Sequence, residues 1–254
     1  MGAEPPLVLN QLLRYEPVVR LLEPLRGGRL LDVGSGSYGV ARWLSRRWDV
    51  VAVDVSFDDY GGAAGPVRRG ATPVLGSATH LPFPDRSFDA VVALDVLEHI
   101  PPDLRSAAVE DLCRVTSGRL ILACPTGRAA YEADRRLHDF YQRRDGNVIR
   151  WLREHVEFGL PDRTEIVSAL HRHGNVTVRP HQDPRRMLRL MLSEARPLGR
   201  RAQTAVARAL QGAVREGRRR RSRMLKAIGG GDREPGYRTI AVMDRRGSTP
   251  ATRS

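Results

Sequence analysis

The sequence is poor in the features that mark secreted, membrane or metal-scaffold proteins. Two cysteines in 254 residues, Cys113 and Cys124, are too few for a disulfide framework and have no metal-binding spacing, so reduced thiols are expected. No apolar run reaches the roughly 18–20 residues that cross a bilayer. The start, MGAEPPLVLNQLL, has no basic segment ahead of an apolar one, so no signal peptide is expected and the expected location is the cytoplasm. There is no internal repeat, and aromatic residues make up only 6% of the chain. Lysine is almost missing: Lys226 is the only one. Coding bias in a G+C-rich genome produces such a skew without any demand for guanidinium chemistry.

Acidic residues are missing from one place in particular. Residues 185–226 hold 13 arginines and one lysine against Glu194 and Glu216, a local charge of +12 within a whole-chain charge of +13. The rest of the chain is close to neutral, so the basicity belongs to one segment. That segment breaks at Pro197 and continues as RAQTAVARALQGAVREG, where Ala202, Val206, Ala209, Leu210, Ala213 and Val214 suggest an apolar face, followed by Arg218–Arg221. A solvated arginine face is the plain reading. Contact with an anionic membrane, or with a lipid-linked or phosphorylated acceptor, is the competing one. Nucleic acid is disfavoured, because no aromatic–basic interleaving or RNA-binding module accompanies the charge.

What is present is a βαβ unit at residues 30–54. Leu30–Val33 is apolar and stops at Gly34-Ser35-Gly36-Ser37-Tyr38-Gly39; a second apolar run, Val50–Val53, ends in Asp54. The pattern predicts strands at 29–33 and 50–54, a helix at 38–47, and a glycine turn that brings bare backbone to a ligand. Helical spacing at 7–25, interrupted by Pro17 and Pro24, predicts one or two short helices first. Further strands are expected at 72–75, 90–94, 119–124, 175–179 and 237–244. A loop is expected at 56–70, a helix at 102–116 ended by Gly118, and a helix after Asp162 and Glu165 that ends at Gly174. The alternation of strands and helices implies a doubly wound parallel sheet.

The spacing G-x-G-x-x-G alone fits nicotinamide, flavin and S-adenosylmethionine sites. Asp32 narrows the choice, because a carboxylate beside the turn repels a pyrophosphate and tolerates an ammonium and a sulfonium. Asp54 can accept from ribose hydroxyls of either kind of ligand.

With DVGSGSYG, the acidic end of the second strand and LPFPDRSFDAVVALDVLEHIP all in place, the chain resembles a class I S-adenosylmethionine-dependent methyltransferase. More narrowly, it is similar to the small-molecule group that includes ubiquinone- and menaquinone-biosynthesis enzymes. The resemblance implies a Rossmann-like α/β fold with a seven-stranded sheet of order 3-2-1-4-5-7-6 and an antiparallel last strand. It implies one domain over 1–244, with a lid or acceptor segment at 126–160, a basic helical insertion at 185–226 between the last two strands, and a tail at 245–254. It implies that Gly34, Ser35 and Gly36 approach the methionine part of S-adenosylmethionine and that Asp32 orders its amino end. Asp54 would take the ribose, Val55 and the Ala78 backbone would meet the adenine, and Asp95 would lie along the cofactor. Ser77 stands where family members often carry an acidic residue for the adenine amino group.

For chemistry, His155 in the lid segment and His99 are the candidate bases. His155 is expected in an exposed aromatic and histidine cluster or a packed loop. Asp95, Glu98 and His99 span one turn, and related quinone O-methyltransferases use similar positions, in some cases around a divalent metal; the structural role is the commoner one and no metal is expected. The remaining histidines read as surface residues. The expected function is methyl transfer to a small-molecule, glycan or lipid-linked acceptor, at oxygen. Two alternatives differ in class. A non-catalytic adapter would bind lipid or nucleic acid through 185–226 regardless of Asp54, and an NAD(P)-dependent oxidoreductase would bind a nicotinamide cofactor tightly.

Overall fold

The computed structural model describes residues 9–36, 39–57, 70–212 and 218–246. In chain order the elements are α1 (Leu9–Leu22), β1 (Gly28–Val33), β2 (Trp48–Asp54), β3 (Ala71–Leu75), β4 (Phe88–Leu94), α2 (Arg105–Val115) and β5 (Thr116–Pro125). Then come α3 (Gly127–Asp145), α4 (Arg150–Phe158), α5 (Arg163–His171), β6 (Gly174–His181), α6 (Pro184–Glu194), α7 (Pro197–Gly212), α8 (Arg218–Gly229) and β7 (Arg238–Arg245). The strands form one sheet of order β3-β2-β1-β4-β5-β7-β6, in which β7 runs antiparallel to β5 and β6. This is the sheet that the resemblance implied.

The central strands are apolar on both faces because both are covered. Leu31, Val91 and Leu122 pack under α2 and α5, whereas Leu30, Val92 and Ile121 pack under α1. Asp162 caps α5 by accepting from the N–H groups of Thr164 and Glu165, as its sequence position suggested. A third cluster joins α3, α4 and α6 through Ala133, Leu137, Leu152 and Met187, and a fourth joins α1 to α7 and α8 through Leu12, Leu13, Ala207 and Leu225. The segment 126–160 is therefore almost wholly helical. Among the described residues, no helix is long and apolar enough to cross a membrane.

Several expectations need correction. Between the glycine turn and β2 the described residues hold only a 3₁₀ turn, Ala41–Trp43, not a helix over 38–47. Pro17 does not break α1. Proline removes the donor for the carbonyl of Leu13, and His181 Nε2 donates to that oxygen instead at 2.9 Å, which also corrects the surface reading of His181. Gly118 lies within β5 and does not end α2. A Cβ there would stand 2.5 Å from the Asp89 carbonyl oxygen, at the point where the β4–β5 register shifts.

The buried stripe of α7 is Gln203, Ala207 and Leu210, while Ala202, Val206 and Ala209 face outward. The expected face is rotated by one residue because Gln203 is accommodated inside, where its Nε2 donates to the Leu190 carbonyl. Ala213 and Val214, most of the expected 56–70 loop and all but the first two residues of the 245–254 tail lie outside the described residues.

Candidate active site

The glycine turn sits where the sheet order reverses, at the carboxyl ends of β1 and β4, which is the ligand crevice of open α/β sheets. Among the described residues, its backbone donors are already occupied. Gly34 and Ser35 donate to the Val53 carbonyl, Gly39 to the Ser35 carbonyl, Val40 to Asp32 at 2.6 Å and Gly36 to Asp54 at 2.8 Å. A phosphate would need those N–H groups, and it would meet two carboxylates instead. Gly39 has φ +42, and a Cβ on it would lie 2.5 Å from Asp32 Oδ2, so the side chain of Asp32 and the shape of the turn depend on each other.

Asp32 is buried, and burial raises its pKa from 3.8 to about 7; the Val40 N–H opposes that rise and the charge of Asp54 adds to it. Between these values the native state keeps a proton that the unfolded chain has lost, so stability is lost as pH rises through the window, by up to about 4 kcal/mol. Urea unfolding of the wild type and of Asp32→Asn from pH 5 to 8 checks this. The stability advantage of the variant is expected to grow with pH, and a difference independent of pH would contradict it.

The other cofactor positions are distributed as follows. Asp54 is half-buried, and its second oxygen accepts from Ser56 N–H at 3.1 Å. Val55 is 72% exposed at the mouth, free to meet a flat ligand. Ser77 engages Thr79 through its hydroxyl at 2.8 Å, and Ala78 is buried beneath it.

Asp95, at φ +55, receives a bidentate contact from Arg238 (2.8 and 2.7 Å) and a third from Arg14 (2.9 Å). Burial would raise its pKa, but the two guanidinium groups hold it well below the usual carboxylate range. Asp95 is thus an ion-pair hub at the carboxyl end of β4. Arg238 was missed in the sequence, although an arginine inside an apolar strand signals a buried carboxylate partner.

Glu98 and His99 follow on a 3₁₀ turn, Leu97–His99, beside Val96, which packs against Gly34. His155 comes from α4 and is buried, which corrects the exposed or loop placement expected for it. Its ring lies 4.9 Å from that of His99 and 5.1 Å from that of Trp151. His155 Nδ1 bonds Asp134 Oδ2 of α3 at 2.7 Å, and Tyr237 donates its hydroxyl to Asp134 Oδ1 at 2.6 Å. His99 Nδ1 bonds Glu154 of α4 at 2.8 Å. Burial pushes the His99 pKa down, with Glu154 working against it.

Glu98 is fully buried, and burial followed by the charge of Asp95 raises its pKa well above the ordinary value. Arg105 fastens this assembly by donating to the carbonyls of Ile100, Phe158 and Gly159. Asp134 and Tyr237 were not legible: Asp134 reaches His155 from 21 positions away, and Tyr237, 82 positions beyond His155, reaches it only through Asp134. The thiols play no part: burial pushes Cys113 up to about 12 and Cys124 well above its ordinary value.

Fold and site together define a Rossmann-like domain whose ligand crevice is flanked by carboxylates. Residues 31–124 match the "Methyltransferase domain" family, and over that stretch the chain is similar to class I S-adenosylmethionine-dependent methyltransferases. It is 34% identical over 132 residues to the demethylmenaquinone methyltransferase of Thermobifida fusca (strain YX), a match that takes in 45% of this chain and 54% of that one. The chain thus spans about half the length of this curated relative. Among solved structures it resembles the PH0226 protein from Pyrococcus horikoshii OT3 (TM-score 0.54, 16% identity, 93% and 90% of the two chains). It also resembles phosphoethanolamine N-methyltransferase 2 of Haemonchus contortus in complex with S-adenosyl-L-methionine (TM-score 0.53, 16% identity, 93% and 53%). At these identities the structural likeness speaks for the fold.

Proposed function

We propose that the protein transfers a methyl group from S-adenosylmethionine to a hydroxyl oxygen of a small-molecule, glycan or lipid-linked acceptor. One observation carries the reading: the described N–H donors of the turn after β1 are occupied and two carboxylates stand at its edge, an environment for a cationic, phosphate-free adenosine ligand. Bound there, S-adenosylmethionine supplies a methyl group activated by positive sulfur. Asp32 would hold the amino end, and an ammonium beside it would draw its proton off. Asp54 would accept from the ribose hydroxyls, and Val55 would cover the adenine. The chain then has to align the acceptor and exclude water.

The cluster of Glu98, His99 and His155 supports oxygen as the methylated atom, because a hydroxyl must lose a proton whereas an amine acceptor need not. His155 and His99 would act there, with Asp134 and Glu154 fixing their orientation. The helices α3 and α4 would form the wall of the acceptor pocket. Incubation with methyl-labelled S-adenosylmethionine and an acceptor-containing extract is expected to give a labelled methyl ether or ester. Label recovered only on nitrogen, or no transfer to any extract fraction, would sink the oxygen reading.

Peripheral attachment through the basic helices is a second part of the reading. Leu198 is 79% exposed at the start of α7 among exposed Arg189, Arg196, Arg200 and Arg201, an apolar tip within positive charge. Co-sedimentation with vesicles containing anionic phospholipid is expected to be strong at low salt and to weaken in Leu198→Asp. Equal binding to neutral and anionic vesicles would contradict it.

A further inference from the structure

We infer that a cavity between α1, β6 and α8, apart from the crevice of the sheet, binds the phosphate group of a phosphate monoester. The cavity measures about 200 Å³, far more than the roughly 30 Å³ that one water takes up in the liquid, so a phosphate with a short organic body is of the right size. Its charged wall is made by Glu16 and Arg20 from α1, Arg179 from β6, Lys226 from α8 and Asp232 from the loop before β7. Leu13, Leu21 and Leu225 supply apolar lining for the body of the ester. None of these residues is a cofactor position or a member of the histidine cluster, and the inference does not rest on methyl transfer.

The charges in this wall do not cancel. Three cations face two carboxylates, and both carboxylates are engaged. Asp232 accepts from Lys226 Nζ at 2.5 Å and bonds His181 Nδ1 at 3.1 Å, and Glu16 lies 4.0 Å from Arg20. Arg179 is left over. Among the described residues no carboxylate pairs with it, and the one hydrogen bond of its guanidinium is long, from Nη2 to the Pro17 carbonyl at 3.5 Å. Its Nε is buried and has no acceptor. Burial pushes the Arg179 pKa down; the charge of Asp232 opposes that, and the charge of Arg20 adds to it. A buried guanidinium keeps its charge and carries five donors, so an arrangement without an anion is costly.

Charge and geometry select the ligand. The wall has one positive charge in excess, or two when His181 carries protons for both of its acceptors, Asp232 and the Leu13 carbonyl. A phosphate monoester, whose second ionisation lies at about pH 6, carries one to two negative charges and matches that excess. Arg20, which also donates to Ser222 Oγ, and Lys226 are half-exposed and have further N–H groups to offer. Donors from three elements surround a tetrahedral oxyanion, whereas a planar carboxylate is served by a single guanidinium fork.

The test is calorimetric titration of the full chain with glycerol 3-phosphate in phosphate-free buffer at constant ionic strength. Sedimentation with phosphatidylcholine vesicles containing phosphatidic acid forms a second arm. One saturable site per chain is expected, weakened about 10-fold or more in Arg179→Gln and in Arg20→Gln and unchanged in Leu198→Asp. Without ligand, Arg179→Gln should keep the thermal midpoint of the wild type, and glycerol 3-phosphate should raise the midpoint of the wild type only. Binding of the soluble ester supports a metabolite as the source of the phosphate. Binding of the vesicles alone, reduced in Arg179→Gln, supports a lipid headgroup. Absence of saturable binding in both arms, binding undiminished in both arginine variants, or acetate bound as tightly as glycerol 3-phosphate overturns the proposal. If Arg179→Gln does not fold, Arg20→Gln decides by the same criterion.

Discussion

Arg238→Met is expected to destabilise the protein by about 3–5 kcal/mol, the range for removing one partner of a buried ion pair. The side chain is 5% exposed, donates twice to Asp95 and also reaches Gln182. Its loss leaves the buried carboxylate with Arg14 alone. For a chain of this size the midpoint of thermal unfolding should fall by on the order of 10 °C. Asp95 has a depressed folded-state pKa, so its contribution is present above the ordinary carboxylate pKa and is lost as pH falls through the folded value. Arg238→Met combined with Asp95→Asn should recover much of the loss, because asparagine tolerates φ +55 and needs no counter-charge. If the double variant were as unstable as the sum of the two single ones, the energy would reside in packing of the arginine stem.

Asp54→Ala is expected to weaken S-adenosylmethionine binding by about 100-fold or more, measured by calorimetric titration. Two charge-assisted hydrogen bonds to the ribose are worth about 1.5–3 kcal/mol each, and a factor of ten corresponds to about 1.4 kcal/mol. The same carboxylate accepts from Gly36 N–H, so the turn would lose an anchor together with the ligand. Each of its oxygens has a second lone pair, so ribose can be bound without releasing the turn. Asp54→Asn, which keeps one acceptor, should be intermediate. A variant that binds like the wild type would mean that the ribose lies elsewhere.

The framework of this fold was legible because its strands are buried on both faces and read as unbroken apolar runs: Leu30–Val33, Ala90–Leu94 and Leu120–Ala123. Asp32, the glycines and Asp54 could be singled out together for a related reason, since they lie within one local unit whose spacing is fixed by strand geometry. What failed was decided by distant partners. The helix expected at 38–47 gives way to a single 3₁₀ turn, Ala41–Trp43, among the described residues. Pro17 is tolerated because His181, from β6, takes up the carbonyl it frees. Gly118 packs against β4 and does not stop a helix. The acceptor side was the least legible: His155 could be singled out in its segment, but its partner Asp134, the Tyr237 hydroxyl behind that carboxylate and the neighbouring Glu98 come from three distant stretches of the chain.

The turn after β1 is the proposed seat of S-adenosylmethionine. Calorimetric titration of the full chain with S-adenosylmethionine, with NADH as the competing ligand in a parallel run, tests it directly. Saturable one-to-one binding of S-adenosylmethionine is expected, tighter at pH 8 than at pH 6 as Asp32 gives up its proton, with no binding of NADH. Saturable binding of NADH with none of S-adenosylmethionine would contradict it.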